Sequence, residues 1–91
     1  MGVTIMLPGS LKSLTGGSEE VICECGTVGE CIDCLSAAHP DSKSLWFNEQ
    51  GQVSPLLMIF LNGENVRHLE GLGTQVKDGD RLAIIPLAAG G

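Results

Sequence analysis

Two unbroken apolar runs restrict what this chain can become: Leu56-Leu57-Met58-Ile59-Phe60-Leu61 and Leu82-Ala83-Ile84-Ile85-Pro86-Leu87. Both fall far short of the roughly 20 apolar residues of a membrane-spanning helix. Both are bounded by turn residues, Asn62-Gly63 after the first and Lys77-Asp78-Gly79-Asp80 before the second. Short apolar runs between turn signals are strands. Neither run alternates apolar with polar residues, as a strand with one wetted face does. If Leu57, Ile59, Leu61, Leu82 and Ile84 face a core, then Met58, Phe60, Ala83, Ile85 and Leu87 make a second apolar face. That face is either covered by a loop or left bare for another protein.

The sequence offers one amphipathic helix to cover the first face. Thr27-Val28-Gly29-Glu30 is a capping box, and Val28, Cys31, Ile32, Leu35 and Ala38 recur at helical spacing until His39-Pro40 stops the pattern. Upstream, Val3, Ile5 and Leu7 share one face of a first strand that Pro8 ends. Residues 19–25 read as a short second strand at a sheet edge, after a loop at Thr15-Gly16-Gly17-Ser18. Residues 41–54 are polar and predict the longest loop, pinned to the body by Trp46 and Phe47. After Asn62-Gly63 a return strand runs through Val66 and Arg67, and residues 69–76 predict a loop with one helical turn. The order is ββαββ with a final strand. It predicts an α+β domain with a mixed four- or five-stranded sheet on one helix. Ninety-one residues suffice for one domain, and with only Trp46, Phe47 and Phe60 aromatic its core must be aliphatic.

Charge removes several classes of function. Eleven acids against five bases give a net charge of −6, and Lys12, Lys43, Arg67, Lys77 and Arg81 stand apart. No basic stripe exists for phosphates, so nucleic acid is excluded and a partner with a basic docking face is favoured. The first residues lack the charged start and cleavage site of a signal peptide. Gly2 stands where a myristoylated glycine would, but Leu7 occupies the Ser/Thr position of that motif. A cytoplasmic location with no membrane partner is expected.

Ala88-Ala89-Gly90-Gly91 follows the last apolar run. Without Cβ atoms, a Gly-Gly pair approaches another backbone closely. Four extended residues span about 13–14 Å, enough to thread a narrow slot while the sheet stays outside. An α-carboxyl with a pKa near ~3.5 is an anion at neutral pH and a poor electrophile, so reaction requires activation. The chain carries no phosphate-binding motif for that step, so another protein must supply the catalysis. The plain reading of a bare Gly-Gly end is a frayed terminus.

Together, these pieces resemble the ubiquitin-like sulfur carriers of β-grasp fold, among them the thiamine sulfur carrier and the small subunit of molybdopterin synthase (the MoaD/ThiS-like family). The resemblance rests on Asn62-Gly63-Glu64-Asn65-Val66-Arg67, Gly71-Leu72, Val76-Lys77-Asp78-Gly79-Asp80 and Ile84-Ile85-Pro86-Leu87-Ala88-Ala89-Gly90-Gly91. It covers roughly residues 56–91, and Thr27-Val28 extends it toward the N-terminus. The chain looks most like carriers serving cysteine or homocysteine synthesis. The resemblance implies a β-grasp domain over residues 1–87 and a flexible tail over residues 88–91. It implies a carrier rather than an enzyme. A ubiquitin-activating-type enzyme would adenylate Gly91, with Gly90 in its slot, using ATP and Mg²⁺. A sulfur donor would convert the adenylate to a thiocarboxylate, and a downstream enzyme would accept the sulfur. No cofactor would be bound stably. The partner-binding residues expected are Met58, Phe60, Ile85, Leu87, Ala88 and Ala89. The same tail would also suit a protein modifier that forms isopeptide bonds through Gly91.

Cys23, Cys25, Cys31 and Cys34 depart from that family pattern. Three readings stand side by side. Four thiolates suit zinc, though the five-residue link between the pairs leaves little room. Cys31-x-x-Cys34 at a helix start suits redox chemistry or a sulfur relay. The plain reading puts Cys31 in the core and leaves the others as reduced thiols, since disulfides are unexpected in a cytosol. A small metal or redox module is therefore the further alternative function. His39 and His68 read as surface residues, and Asp78 and Asp80 as members of a solvated turn.

Overall fold

The computed structural model describes residues 2–8, 20–54 and 57–86. The first strand, β1 (Val3–Met6), is followed by β2 (Glu20–Cys23), helix α1 (Val28–Ala38) and a 3₁₀ turn over Pro40–Ser42 that leads into the short helix α2 (Lys43–Trp46). Then come β3 (Leu57–Leu61), β4 (Glu64–Asn65), two further 3₁₀ turns and β5 (Arg81–Pro86). The five strands form one sheet in the order β2-β1-β5-β3-β4. β1 and β5 run parallel at its centre, and every other pair is antiparallel. This is the mixed sheet and α+β, β-grasp arrangement the sequence predicts.

α1 forms where the sequence asks for it. Thr27 caps it by accepting from the Glu30 N–H at 3.2 Å. Glu30 reaches back to the Gly26 N–H at 2.8 Å, one residue earlier than a standard capping box. Val28, Cys31, Ile32 and Leu35 are buried, the i, i+3, i+4, i+7 stripe of a helix with one apolar side. That stripe lies on Val3, Ile5, Leu57, Ile59, Leu82 and Ile84, all part of the core.

Three expectations need correction. The polar stretch from residue 41 is not simply a loop, because Pro40–Ser42 and Lys43–Trp46 are helical. Pro40 sits at the start of that turn, where its missing N–H costs nothing. Trp46 is wholly buried, and its indole N–H donates to Ser42 Oγ at 2.8 Å, while Ser42 Oγ donates to the His39 carbonyl at 2.6 Å. The return strand is cut to Glu64–Asn65, because the Asn65 side chain accepts from the Arg67 N–H at 2.9 Å and turns the chain into a 3₁₀ helix over Val66–His68.

Asp80 is buried rather than solvated. Its carboxylate accepts from the Lys77 N–H at 2.9 Å and from the Asn62 side-chain amide at 3.1 Å. Asn62 also accepts from the Arg81 N–H at 3.0 Å, so both turns are laced to the start of β5. Asn62 and Gly63 take positive φ angles of 50° and 89°, the type I′ geometry that joins twisted strands. Asp80→Ala strands two donors and should lower stability by about 1–3 kcal/mol, read by urea unfolding with the buried Trp46 as fluorophore. An unchanged midpoint would refute the staple.

Candidate functional site

The face of the sheet turned away from α1 is the candidate site. Strand alternation places Thr4 and Met6 of β1, Ile22 of β2, Met58 and Phe60 of β3, and Ala83 and Ile85 of β5 on it. The register sets them shoulder to shoulder: Met58 opposite Ile85, Phe60 opposite Ala83, Ala83 opposite Met6, and Thr4 opposite Ile22. Ile22 keeps 69% and Ile85 40% of their surface exposed, while Met58 and Phe60 are half-buried. A large Ile left that exposed on a sheet face suits contact with another protein.

Charge frames the apolar band. Arg81 meets Glu20 at 3.4 Å, and both side chains are more than half exposed, so the pair adds little to stability. The Arg81 guanidinium also lies 3.4 Å from Met6 Sδ, resting on the same face. With a net charge of −6, a basic partner rim would meet this face favourably.

The structure brings together Met58, Phe60 and Ile85 from the expected set and adds Met6 and Ile22 to them. These two lie on β1 and β2, and only the strand order reveals that they join β3 and β5 on one face. Leu87, Ala88, Ala89, Gly90 and Gly91, with the division between domain and tail, lie outside the described residues. β5 ends at Pro86, which pairs with Leu57 at the far end of the central strand. Among the described residues no helix is long and apolar enough to cross a membrane.

The cysteines depart from the expected reduced thiols. Cys23 is joined to Cys34 and Cys25 to Cys31, with Cα–Cα separations of 6.2 and 5.5 Å, within the range a disulfide spans. The cause is local. β2 passes into α1 through a tight connection at Gly26-Thr27, so the end of the strand lies against the first two turns of the helix. With the sulfurs bonded to one another, no group of three or more His, Cys, Asp or Glu among the described residues is placed to hold a metal ion. Cys23 pairs in register with Val3, next to Thr4, which pairs with Arg81 at the start of β5. The cysteines and the exit of β5 thus sit at opposite ends of the sheet. The six residues of β5 separate them, roughly 20 Å at ~3.3 Å per residue.

Comparison with known proteins gives a consistent answer. The model of the ThiS family matches residues 5–91. A putative sulfur carrier protein of Archaeoglobus fulgidus is 37% identical over 91 residues, spanning all of both chains. A chain in the crystal structure of the Amycolatopsis orientalis BexX/CysO complex superposes with a TM-score of 0.84 at 37% identity, over 99% of this chain and 100% of that one. The crystal structure of SAMP1 from Haloferax volcanii superposes with a TM-score of 0.83 at 30% identity, over 98% of each chain.

Reduction of both disulfides in metal-free protein should lower stability by about 2–4 kcal/mol, because the reduced unfolded chain gains loop freedom. Chemical unfolding with and without a dithiol reductant measures this. Equal midpoints in the two states would contradict it.

Proposed function

The chain belongs to the ThiS family, and on that premise we propose that it is a sulfur carrier whose Gly91 carboxylate receives, holds and gives up a sulfur atom. The observation that carries the reading is similarity to a sulfur carrier along the whole chain through residue 91, on a scaffold whose central strand leads into the Gly-Gly sequence.

The chemistry falls in two steps, both catalysed elsewhere. The Gly91 carboxylate oxygen attacks the α-phosphate of ATP, forming an acyl-adenylate and releasing pyrophosphate. A sulfide equivalent from a donor then displaces AMP, leaving a C-terminal thiocarboxylate. A ubiquitin-activating-type enzyme supplies the ATP site and Mg²⁺, and a further enzyme takes the sulfur. The carrier contributes position. β5 is held between β1 and β3, so the peptide that follows Pro86 leaves from a fixed point beside the apolar face. A partner that grips Met58, Phe60 and Ile85 has thereby located Pro86, five positions before Gly91 in the sequence. The A. orientalis complex pairs CysO with BexX. The acceptor we propose here is a biosynthetic enzyme making a sulfur-containing metabolite, of the kind served in cysteine or homocysteine synthesis.

A second reading is favoured by one observation, the superposition on SAMP1, a small archaeal modifier protein. The same acyl-adenylate could pass to a lysine amine and form an isopeptide. Intact-mass measurement and immunoblotting of cell extracts under reducing conditions separate the two. A carrier shows sulfur replacing oxygen at the terminus. A modifier shows a ladder of high-mass adducts.

Gly90→Val should block adenylation and Gly91→Ala should weaken thiocarboxylate formation, with unfolding midpoints unchanged. Full activity in both variants would remove the tail from the mechanism. Ile85→Glu, on the exposed sheet face, should raise the KM for the carrier in the adenylation reaction about tenfold, the equivalent of about 1.4 kcal/mol of docking energy. A KM equal to that of the parent chain would place the docking surface elsewhere.

A further inference from the structure

We propose that Cys23, Cys25, Cys31 and Cys34 are a redox-gated metal site: once reduced, the four sulfurs hold one zinc ion in tetrahedral coordination where β2 meets α1. The proposal concerns residues at the opposite end of the sheet from Pro86 and stands independently of the carrier reading.

Geometry is the first support. A zinc–thiolate bond of about 2.3 Å places the sulfurs of a tetrahedral site roughly 3.8 Å apart. Cys23 and Cys34 have Cα atoms 6.2 Å apart, and Cys25 and Cys31 have theirs 5.5 Å apart. From bonded sulfurs, each pair has to open by less than about 2 Å, which side-chain rotation supplies. The remaining neighbours are close by sequence. Cys23 and Cys25 are two residues apart, so their Cα atoms lie within about 7 Å. Cys25 Sγ sits 3.8 Å from the Cys23 carbonyl oxygen, folded back along its own strand end. Cys31 and Cys34 are i and i+3 on α1, adjacent on one helix face with Cβ atoms about 5–6 Å apart. Taken in the order Cys23, Cys34, Cys31, Cys25, neighbouring positions are therefore within about 7 Å of one another all the way round, so the short link between the pairs is no obstacle.

The scaffold holds this ring without help from the disulfides. β2 is paired with β1 over Glu20–Cys23. The start of α1 is fixed by the Val28 N–H donating to the Thr74 carbonyl and the Val76 N–H donating to the Gly26 carbonyl, both at 3.0 Å. Reduction therefore leaves the thiols facing one another. Cys23 and Cys31 are buried, whereas Cys25 and Cys34 are half-buried, so metal and reductant both arrive from that rim. A centre of four thiolates has no open position, which makes its role structural. Soft sulfur ligands select zinc over calcium or magnesium. The anionic centre lies against the first turns of α1, where the helix dipole favours negative charge.

The exchange balances. Each disulfide takes two electrons and two protons from one molecule of a small dithiol, which leaves as its own disulfide. Binding of Zn²⁺ to the four thiols then releases four protons and leaves a centre of charge −2. Oxidation of the thiolates by a disulfide reagent reverses both steps and expels the metal.

The test uses the full chain, Zn²⁺ alone and elemental analysis after removal of unbound metal. The expected result is one zinc per chain when four thiols titrate, and none when both disulfides are formed. Cys25→Ser with Cys34→Ser, which changes only the two rim positions, should lose that zinc. Oxidising the zinc-loaded chain should return it to solution. Absence of bound zinc from the reduced parent chain, folded or unfolded, overturns the proposal. So does a full equivalent of zinc retained by the doubly substituted chain.

Discussion

The parallel pairing of β1 with β5 is the contact on which the rest of the fold depends. It joins the first and last described strands at the centre of the sheet, with β2 on one side and β3 and β4 on the other. Parallel neighbours cannot be linked by a tight turn. The crossover is filled by α1, whose buried stripe covers the strands it has to pass. β5 lies between β1 and β3, and its Leu82 and Ile84 are wholly buried. A carrier benefits from that placement. Tension applied to its tail is resisted by hydrogen bonds on both sides of β5 rather than by an edge strand that could peel away.

The entry to β5 is fixed with similar care. The Asp80 carbonyl accepts from the Thr4 N–H at 2.9 Å, its carboxylate holds the preceding turn, and Asn62 brackets Arg81 from the other side. These bonds set the register of β5 against β1 and β3 together. A slip of one residue would carry Leu82 and Ile84 to the outer face and Ala83 and Ile85 inward. The outer apolar face therefore depends on a polar cluster at the entry to β5, which reaches it through the Thr4 N–H.

Much of this was legible in the sequence, for reasons that are local. The stripe Val28, Cys31, Ile32, Leu35 is set by helical periodicity, and Asn62-Gly63 by backbone angles few residue pairs tolerate. The apolar second face was visible in the failure of β3 and β5 to alternate. What stayed hidden depends on distant neighbours. Lys43–Trp46 is too short and too polar to show a helical period, and it is the burial of Trp46, with Leu45 packed against the core, that holds the segment in place. Asp80 looks like any turn aspartate until Asn62, eighteen residues away, is brought beside it. The contribution of Met6 and Ile22 to the face required the strand order. The strand over residues 19–25 and the helix opening at Thr27 are legible as neighbours, but the sequence predicts reduced cysteines, so the pairings Cys23–Cys34 and Cys25–Cys31 are not.

The cysteines and the outer face of β3 and β5 sit on different elements of the fold. The cysteine pairs tie α1 to β2, and β2 touches the sheet only through β1. The face built by Met58, Phe60 and Ile85 belongs to β3 and β5, which are paired to each other along five residue positions. A change of state at the cysteines can reach that face through the backbone of β1 and through α1, whose Cys31 shares the packed core with Leu57, Ile59, Leu82 and Ile84, a core that does not deform gradually. Ile22 gives the shortest route: it stands next to Cys23 and lies on the outer apolar face. Through that residue the condition of the cysteines borders directly on the outer face.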